Sequence, residues 1–312
     1  VGMKKLTLGL AFLLGLSCLE GQQEPIKNNL EAKIVQEPAK DSSIKKFEKQ
    51  KALVTKDNLY SGINWKEIDI GLNYAEIKSP LKSEYGDSKI TVLKINPKYY
   101  KFNLISSGEH HEKNKTAKEW AVNKGLLSVI NAGMYQDDYK TNTGFMRNYG
   151  FVNNNKLNTN NYNSITAFNR KDDSVPEFQI VDLKCQNWEK LKDKYHSYSQ
   201  GIRMIDCNQK NKWEEQNKKW SMVAIGKDKQ GNSLFMFTRS PYSVHDFNNI
   251  LLNSPLNIYN AMYLEGGPEA SFYLNHNGTE LEKFGSYETG FWENDNNDIA
   301  WEIPNIIGIT KR

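Results

Sequence analysis

The amino-acid sequence predicts an α+β fold, with a mixed, largely antiparallel sheet and a few helices in a single globular domain. Short apolar segments with the pattern of strands dominate from about residue 60 onward. Only two segments, residues 116–125 and 244–255, have helical spacing together with helix-end signals. Strand pairs mixed with a few helices are typical of α+β domains rather than of a regular βαβ winding.

Local patterns predict the elements of the first half of the domain. Residues 88–96 alternate apolar and polar side chains, as a half-buried strand does, and residues 101–108 are its predicted hairpin partner or neighbour. Residues 116–125 form a predicted helix that ends in glycine, a common helix cap. Residues 126–135 are a continuous apolar run, which indicates a buried strand.

The second half continues the same alternation of strands and a helix. Residues 221–240 read as two strands joined by a turn near Gly231. Residues 244–255 read as an amphipathic helix that stops around Pro255. A short strand over residues 261–264 and a closing strand over residues 303–310 complete the prediction.

The N-terminal residues 1–18 have the composition of a secretory signal. Lys4 and Lys5 precede an apolar run over residues 6–16, which is too short to span a bilayer as a mature helix. The run ends in Gly-Leu-Ser-Cys, and a small residue before Cys18 resembles a bacterial lipobox, in which the cysteine is acylated. We therefore expect a lipid anchor at Cys18 and a place at the cell envelope, on the outer membrane or the cell surface. The alternative is an ordinary cleaved signal and a secreted protein.

Residues 19–58 are polar and rich in lysine, with almost no aromatic side chains. Such a segment buries too little apolar surface to offset the entropy lost on ordering, so we expect a flexible linker. The globular domain is predicted to cover residues 59–312. The anchor is then its one expected contact with a membrane.

Cys185 and Cys207 are the cysteines that remain if Cys18 carries lipid. In an oxidising compartment a disulfide between them is one expectation, and two buried free thiols are the other. Two cysteines without a matched histidine pair do not make a metal site. We expect no metal centre and no cofactor, although Asp137 and Asp138 leave a divalent cation open.

The net charge of +4 is small for 312 residues, and the positive charges are scattered along the chain. We find no basic stripe with interleaved aromatic residues. A nucleic-acid partner is therefore not expected.

Four short motifs occur in a recognisable order. They are Asn-Ala-Gly-Met-Tyr at residues 131–135, Ala-Ile-Gly at 224–226, Ser-Val-His-Asp-Phe at 243–247 and Ala-Met-Tyr-Leu-Glu-Gly-Gly at 261–267. In order and spacing the chain resembles the phosphodiester glycosidase domain family, which includes the lysosomal uncovering enzyme and many bacterial envelope proteins. The resemblance covers roughly residues 60–312. Glu265 stands where the family has Asp, and Trp220 and Ser221 stand where an Arg often precedes the Ala-Ile-Gly strand.

The resemblance implies hydrolysis of a sugar-1-phosphodiester at the bacterial cell envelope, with a carbohydrate-phosphate as the partner. The departures from the family pattern favour a rival function. In that alternative the protein is a non-catalytic surface lipoprotein that keeps the fold and binds a glycan or another partner.

Glu265 is the first candidate catalytic residue, because a carboxyl group at the end of a buried strand is partly desolvated and suits a general acid. Glu269 is the second, since two carboxylates near one glycosidic oxygen are the usual requirement for glycoside cleavage. His245 is the third, as a proton relay. The structural alternatives are that Glu265 caps turn amides, that Glu269 is solvated, and that His245 with Asp246 only opens a helix.

The candidate substrate-binding residues supply an amide, a guanidinium or close backbone. An amide at Asn131 can bind sugar hydroxyls, and Arg203 or Arg239 can bind a phosphodiester bidentately, although each is as readily a turn residue or a surface ion pair. Glycines allow the backbone to approach a ligand closely. The set predicted to bind substrate is Asn131, Gly133, Tyr135, Arg203, Arg239, Asp246, Gly266, Gly267 and Ser271.

Overall fold

Antiparallel strands make up most of the computed structural model, which describes residues 62–312. Sixteen strands occur in this part of the chain. They are β1 (Lys66–Asp69), β2 (Leu72–Lys78), β3 (Lys89–Ile95), β4 (Tyr100–Ser106), β5 (Ser128–Asn131), β6 (Met146–Asn148), β7 (Phe151–Asn154), β8 (Ser164–Arg170), β9 (Phe178–Asp182), β10 (Tyr195–Ile205), β11 (Trp220–Asp228), β12 (Ser233–Tyr242), β13 (Ile258–Gly266), β14 (Ser271–His276), β15 (Thr279–Phe284) and β16 (Asn305–Lys311).

The strands form two sheets. The larger has eleven strands in the order β1-β2-β3-β12-β11-β13-β10-β6-β7, with β8 paired to β10 and β9 paired to β8. The smaller has five strands in the order β15-β14-β5-β16-β4. The predicted partnership of residues 88–96 with 101–108 is wrong, because β3 pairs with β2 and β12 whereas β4 pairs with β16.

Helices are short and few in residues 62–312. They are α1 (Ser107–His110), α2 (Ala117–Lys124), α3 (Trp188–Leu191) and α4 (Val244–Asn253), with one 3₁₀ turn at Gly267–Glu269. The two helices longer than one turn are the two that the sequence predicts. Thr116 and Glu119 close a capping box at the start of α2, and Ser243 caps α4 by accepting a hydrogen bond from the Asp246 N–H.

The predicted fold class is correct in part. The described residues belong to one compact unit, and their sheets are antiparallel. Strands nevertheless dominate so strongly that the domain is more β than a balanced α+β fold. The reason is that the middle of the chain, which the sequence left without a clear assignment, adds β8, β9 and the eleven-residue β10.

The core has three principal layers. Phe235 and Leu264 of the large sheet pack with Phe102 and Phe272 of the small sheet, and this cluster fills the space between the two sheets. On the outer face of the large sheet, α4 buries apolar side chains such as Phe247. On the outer face of the small sheet, α2 does the same.

The anchor of α2 is Trp120. Its side chain is 0% exposed, and its indole N–H donates to the Ile303 carbonyl at 2.9 Å. Truncation of such a buried aromatic residue typically costs about 3–5 kcal/mol of stability.

Two segments cross from one sheet to the other at the same end of the domain. β13 of the large sheet runs through the Gly267–Glu269 turn into β14 of the small sheet, and the segment after β5 of the small sheet leads to β6 of the large sheet. Asn131 joins the two crossings, because its Oδ1 accepts from the Ser271 N–H at 2.8 Å and its Nδ2 donates to the Glu269 carbonyl at 3.0 Å.

Cys185 and Cys207 form a disulfide, with their Cα atoms 6.5 Å apart. The only three described residues with metal-ligand spacing are these two cysteines and Asp182. Because the sulfurs are bonded to each other, the group does not offer thiolate ligands.

Within residues 62–312, no helix combines the length and the apolar composition that a bilayer crossing requires. The predicted signal at residues 1–18, the anchor at Cys18 and the linker at residues 19–58 all lie outside the described residues. They remain predictions.

Candidate active site

Glu265 lies near the end of β13, opposite Val223 of β11. Its carboxyl is half-buried, and Oε1 accepts a hydrogen bond from the Gly266 N–H at 3.1 Å. Burial raises its pKa well above the usual 4.5, and the negative charges of Glu269 and Glu288 raise it further. The raised pKa favours the protonated form of the Glu265 carboxyl, which a general acid requires.

The two glycines after Glu265 make room for other side chains of the site. A Cβ on Gly266 would lie 2.2 Å from the Tyr263 hydroxyl, and a Cβ on Gly267 would lie 2.2 Å from Oε2 of Glu288. Gly267 also has a φ of +62°, which glycine adopts without strain. The turn thus needs both glycines because a phenol and a carboxylate pack directly against its backbone.

Glu288 is a site residue that the sequence analysis missed. It pairs with Trp220 of β11, between the hydrogen bonds from Ser221 N to Tyr287 O at 2.9 Å and from Thr289 N to Lys219 O at 3.0 Å. This bracketing is that of a non-hydrogen-bonded antiparallel pair, whose side chains lie close together on one face. No local sequence pattern marks Glu288, since its place depends on a distant strand.

Glu269 completes a trio of carboxylates. Its backbone is held in the 3₁₀ turn, where its carbonyl accepts from Asn131 Nδ2 at 3.0 Å and from Ser271 Oγ at 3.2 Å. Its negative charge raises the pKa of Glu265, Tyr135 and Tyr263. All three of those groups are therefore within electrostatic reach of the Glu269 carboxylate.

Three tyrosines surround the carboxylates. Burial raises the pKa of Tyr135, Tyr162 and Tyr263 above the usual 10, and the charge of Glu265 adds to the shift in each. Their hydroxyls stay protonated at neutral pH and remain hydrogen-bond donors. The sequence analysis predicted Tyr135 and missed Tyr162 and Tyr263 as site residues.

Gly133 shapes the loop that carries Tyr135. Its φ is +146°, and a Cβ there would lie 2.7 Å from Oδ1 of Asn142. The Asn142 amide donates to the Gly144 and Gln200 carbonyls at 3.0 and 3.2 Å, which fixes the loop against β10. The structure therefore assigns Gly133 to loop packing.

Asn131 and Ser271 are buried and so do not reach a substrate, contrary to the prediction that they bind it. Each is 1% exposed. Both ends of the Asn131 amide bind backbone of the Glu269–Ser271 segment, so this residue positions Glu269 rather than a sugar.

Arg203 does not serve the carboxylate cluster either. Its guanidinium pairs with Asp182 at 2.8 Å, next to the disulfide, and the two side chains are 13% and 1% exposed. Strand register places Arg203 opposite Met262, whose side chain belongs to the core between the sheets. The predicted phosphate contact is replaced by a buried ion pair.

Arg239 holds a loop. It pairs with Asp295 at 2.7 Å and donates to the carbonyls of Phe284, Asp295 and Asn297 at 2.8 to 3.2 Å. All of these partners flank the segment that carries Glu288. The predicted phosphate ligand is thus a residue that fixes the Glu288 loop.

His245 and Asp246 open α4. Nδ1 of His245 lies 3.7 Å from Oδ1 of Asp246 and 3.4 Å from Nδ2 of Asn249, all within the same helix. The Asp246 N–H donates to the Ser243 cap at 3.0 Å. The helix-opening alternative describes this pair, and the carboxylate cluster is built without His245.

Fold and site together define a two-sheet β protein with a cluster of carboxylates and phenols where two crossover segments meet. Residues 124–310 match the family model described as phosphodiester glycosidase. The chain belongs to the phosphodiester glycosidase family.

Solved structures agree in fold. The catalytic domain of zebrafish N-acetylglucosamine-1-phosphodiester alpha-N-acetylglucosaminidase, auto-inhibited by its pro-peptide, aligns with a TM-score of 0.52 and 13% identity, over 83% of this chain and 86% of that one. A hypothetical protein from Synechocystis aligns with a TM-score of 0.52 and 12% identity, over 81% of this chain and 64% of that one. At these identities the likeness concerns the fold alone. A comparison with curated proteins finds no match.

Proposed function

We propose that the protein hydrolyses a sugar-1-phosphodiester, with Glu265 as the general acid. The observation that carries the proposal is the burial of Glu265 beside Glu269 and Glu288, which raises the pKa of its carboxyl well above the usual 4.5. Carboxyl groups that differ in protonation are the arrangement that glycoside cleavage uses. Family membership supplies the class of bond.

The reaction consumes one water molecule. Glu265 donates its proton to the phosphate oxygen that leaves the anomeric carbon, and that carbon–oxygen bond breaks. Glu269 or Glu288 takes a proton from the water that adds to the anomeric carbon. The products are the free sugar and a phosphomonoester, and the proton taken from water restores the acid.

The substrate is an anion, so the site must offer donors in place of the two arginines. The hydroxyls of Tyr135, Tyr162 and Tyr263 keep their protons at neutral pH because burial raises their pKa. Protonation of Glu265 also removes one negative charge from the cluster. These features allow an anionic group to approach the acidic residues.

A nitrophenyl phosphodiester of N-acetylglucosamine-1-phosphate tests the reaction and identifies the bond. A glycosidase releases N-acetylglucosamine and nitrophenyl phosphate, so colour develops only after a phosphatase is added. A phosphodiesterase that frees nitrophenol would give colour directly and would contradict the proposal.

Glu265→Gln keeps the shape of the side chain and removes the acid. We expect turnover to fall by about 10²–10⁴-fold, the usual contribution of a general acid. The matched control is Glu67→Gln on exposed β1, which should retain full turnover. An active Glu265→Gln enzyme would exclude Glu265 as the acid.

One observation favours the non-catalytic alternative. Both arginines predicted to bind phosphate are engaged elsewhere, with Asp182 and Asp295. If the protein only binds glycans, purified wild type will bind sugars and release no phosphomonoester from the diester. The same assay therefore separates the two functions.

For location, we propose that the domain is tethered to the cell envelope through acylated Cys18 and the linker at residues 19–58. Support comes from the lipobox-like sequence alone. Cys18→Ser should move the protein from the membrane fraction to the soluble fraction. Unchanged membrane association would overturn the anchor.

A further inference from the structure

Three aromatic rings lie together at the surface beside Glu288. We name Phe291, Trp292 and Trp301 the aromatic platform. Their ring centroids are 6.0 to 6.5 Å apart, and Trp301 meets the other two edge-on. Phe291 is 49% exposed, and Trp292 and Trp301 are partly exposed. A contiguous exposed patch of large apolar side chains marks a binding surface more often than a scattered one does.

The platform is continuous with the candidate active site. Trp220 pairs with Glu288, and Glu288 pairs with Trp292 through two backbone hydrogen bonds of 2.9 Å. Directly opposed residues of antiparallel strands project from the same face. The side chains of Trp220, Glu288 and Trp292 therefore form one row. At its inner end Trp220 packs on Tyr263, with centroids 6.4 Å apart.

The rim of the platform is polar. The Trp292 indole N–H donates to Oδ1 of Asn296 at 3.0 Å, and Glu293, Asn294 and Asp298 are exposed nearby in sequence. A pyranose ring presents C–H groups on its faces and hydroxyls at its edge, which suits aromatic faces bordered by amides and carboxylates. An acyl chain would strip water from these polar groups without replacing their hydrogen bonds, at a cost.

The loop that carries the platform is fixed in place. Arg239 binds it at Asp295 and Asn297, and Nδ2 of Asn297 donates to the Gly285 carbonyl at 2.7 Å. A surface held in its binding conformation loses little entropy when a ligand binds. The platform is therefore preorganised relative to Glu288.

We infer that the aromatic platform binds sugar rings of a glycan, so that the substrate is an oligosaccharide or polysaccharide phosphodiester rather than the diester of a single sugar. One ring of the glycan lies at the carboxylates, and the following rings stack along Trp292, Trp301 and Phe291. The inference rests on the proposed function for the diester, but glycan binding by the platform does not require turnover.

Titration calorimetry with N-acetylglucosamine and its β-1,4-linked disaccharide, trisaccharide and tetrasaccharide tests the platform. The protein is the Cys18→Ser chain, so that lipid does not interfere. In this parent protein the affinity should rise with the length of the oligosaccharide, by about tenfold or more from the monosaccharide to the trisaccharide. Phe291→Ala should weaken trisaccharide binding by about five- to tenfold, as loss of one aromatic contact predicts, and leave the monosaccharide unchanged.

Tyr149→Ala is the matched control. Tyr149 is also 49% exposed, and it stacks on His196 rather than on the platform. This variant should bind every oligosaccharide as the parent does. Equal affinity for all lengths, or an equal loss in both variants, would overturn the inference, as would binding to phosphatidylglycerol vesicles that Phe291→Ala abolishes.

Failure of the platform and failure of the reaction give different results. If the nitrophenyl diester is hydrolysed but affinity is independent of glycan length, the inference is wrong and the proposed function stands. If affinity rises with length but the diester is never hydrolysed, the platform stands and the protein is a glycan-binding module. Glu265→Gln should retain the length dependence, because it leaves the platform intact.

Discussion

Asp182 and Glu265 are both carboxylates at strand ends of the large sheet, and the protein treats them in opposite ways. Asp182 is 1% exposed, and its oxygens accept from Arg203 at 2.8 Å, from the Lys184 N–H at 2.9 Å and from the Cys207 N–H at 3.2 Å. Glu265 accepts one backbone N–H and faces two further carboxylates. Asp182 is paired with a cation, whereas Glu265 lies among other carboxylates.

The two environments suit different roles for a carboxylate. A carboxylate whose charge is satisfied by an arginine and backbone donors is fixed in one state, which suits a structural joint. A carboxyl group crowded by other carboxylates can hold or release a proton close to working pH. Burial alone does not identify the candidate acid, because the structural carboxylate Asp182 is the more deeply buried of the two.

The largest expected effect is on the structural side of this comparison. Asp182→Ala leaves Arg203, only 13% exposed, without its partner, so unfolding free energy should fall by about 3–5 kcal/mol. Urea unfolding followed by circular dichroism measures the change. Turnover per folded molecule should stay within about twofold of wild type.

Asp173→Ala is the control for that prediction. Asp173 pairs with Arg170 at 2.7 Å, but its side chain is 92% exposed. Exposed pairs contribute about 0–1 kcal/mol, so stability should change little. Equal losses in the two variants would remove the distinction between buried and exposed pairs.

Gly267→Ala tests whether the position of Glu288 matters for turnover. The new Cβ would lie 2.2 Å from Oε2 of Glu288 and would stand on a backbone with a φ of +62°. Glu288 must move, and we expect kcat to fall by about tenfold or more, since small displacements of catalytic groups are costly. The assay is the nitrophenyl diester with added phosphatase.

Gly278→Ala separates displacement from backbone strain. Gly278 has a φ of +74°, and nothing lies within 4 Å of a Cβ there. This variant carries the same kind of strain, about 1 kcal/mol, without a clash. Normal turnover in Gly278→Ala and reduced turnover in Gly267→Ala would assign the effect to Glu288; equal turnover in both would contradict the role of the close approach.

The smallest expected effect is on stability against pH. Because the folded-state pKa of Glu265 lies above its unfolded value of 4.5, its contribution to stability is present below pH 4.5 and is lost as pH rises through the folded pKa. Glu265→Gln does not ionise. The stability of Glu265→Gln relative to wild type should therefore rise as pH increases above 4.5.

A glutamate with the opposite shift provides the control. Lys115 and Lys124 lower the pKa of Glu112 to about 2, so its stabilising contribution is present above pH 4.5 and is lost as pH falls toward 2. Glu112→Gln should be less stable than wild type at neutral pH and equally stable in strong acid. Parallel trends for the two variants, measured as thermal midpoints, would refute the comparison.

Much of the fold could be predicted because its signals are local. Residues 221–240 contain an alternating apolar pattern and a turn glycine, and they form the paired strands β11 and β12. The helix signals at residues 116–125 and 244–255 mark α2 and α4. The partner of each strand was not predictable, since β3 and β4 follow each other in sequence but belong to different sheets.

Site residues that follow a single recognisable strand could be predicted from the sequence. Those positioned by contacts with distant segments could not. Glu265 with its glycines lies at the end of a visible apolar strand. Glu288 reaches the same place from a segment that pairs with a distant strand, and Tyr162 from a loop whose carbonyl accepts a hydrogen bond from Gln200, so no window of sequence indicates them. The sequence does not reveal the structural role of Arg239 for the same reason, because its partner Asp295 is 56 residues away along the chain.

The bond between Asn131 and Ser271 has a consequence for when the carboxylate cluster forms during folding. It joins residues 140 positions apart and closes only when β5 and β14 stand side by side in the small sheet. Contacts between such distant positions form late, because the entropy of closing the intervening chain is lost before the contact stabilises it. Glu269 thus reaches its place only after β5 and β14 have paired in the small sheet, and a partly folded chain does not carry the assembled cluster of carboxylates.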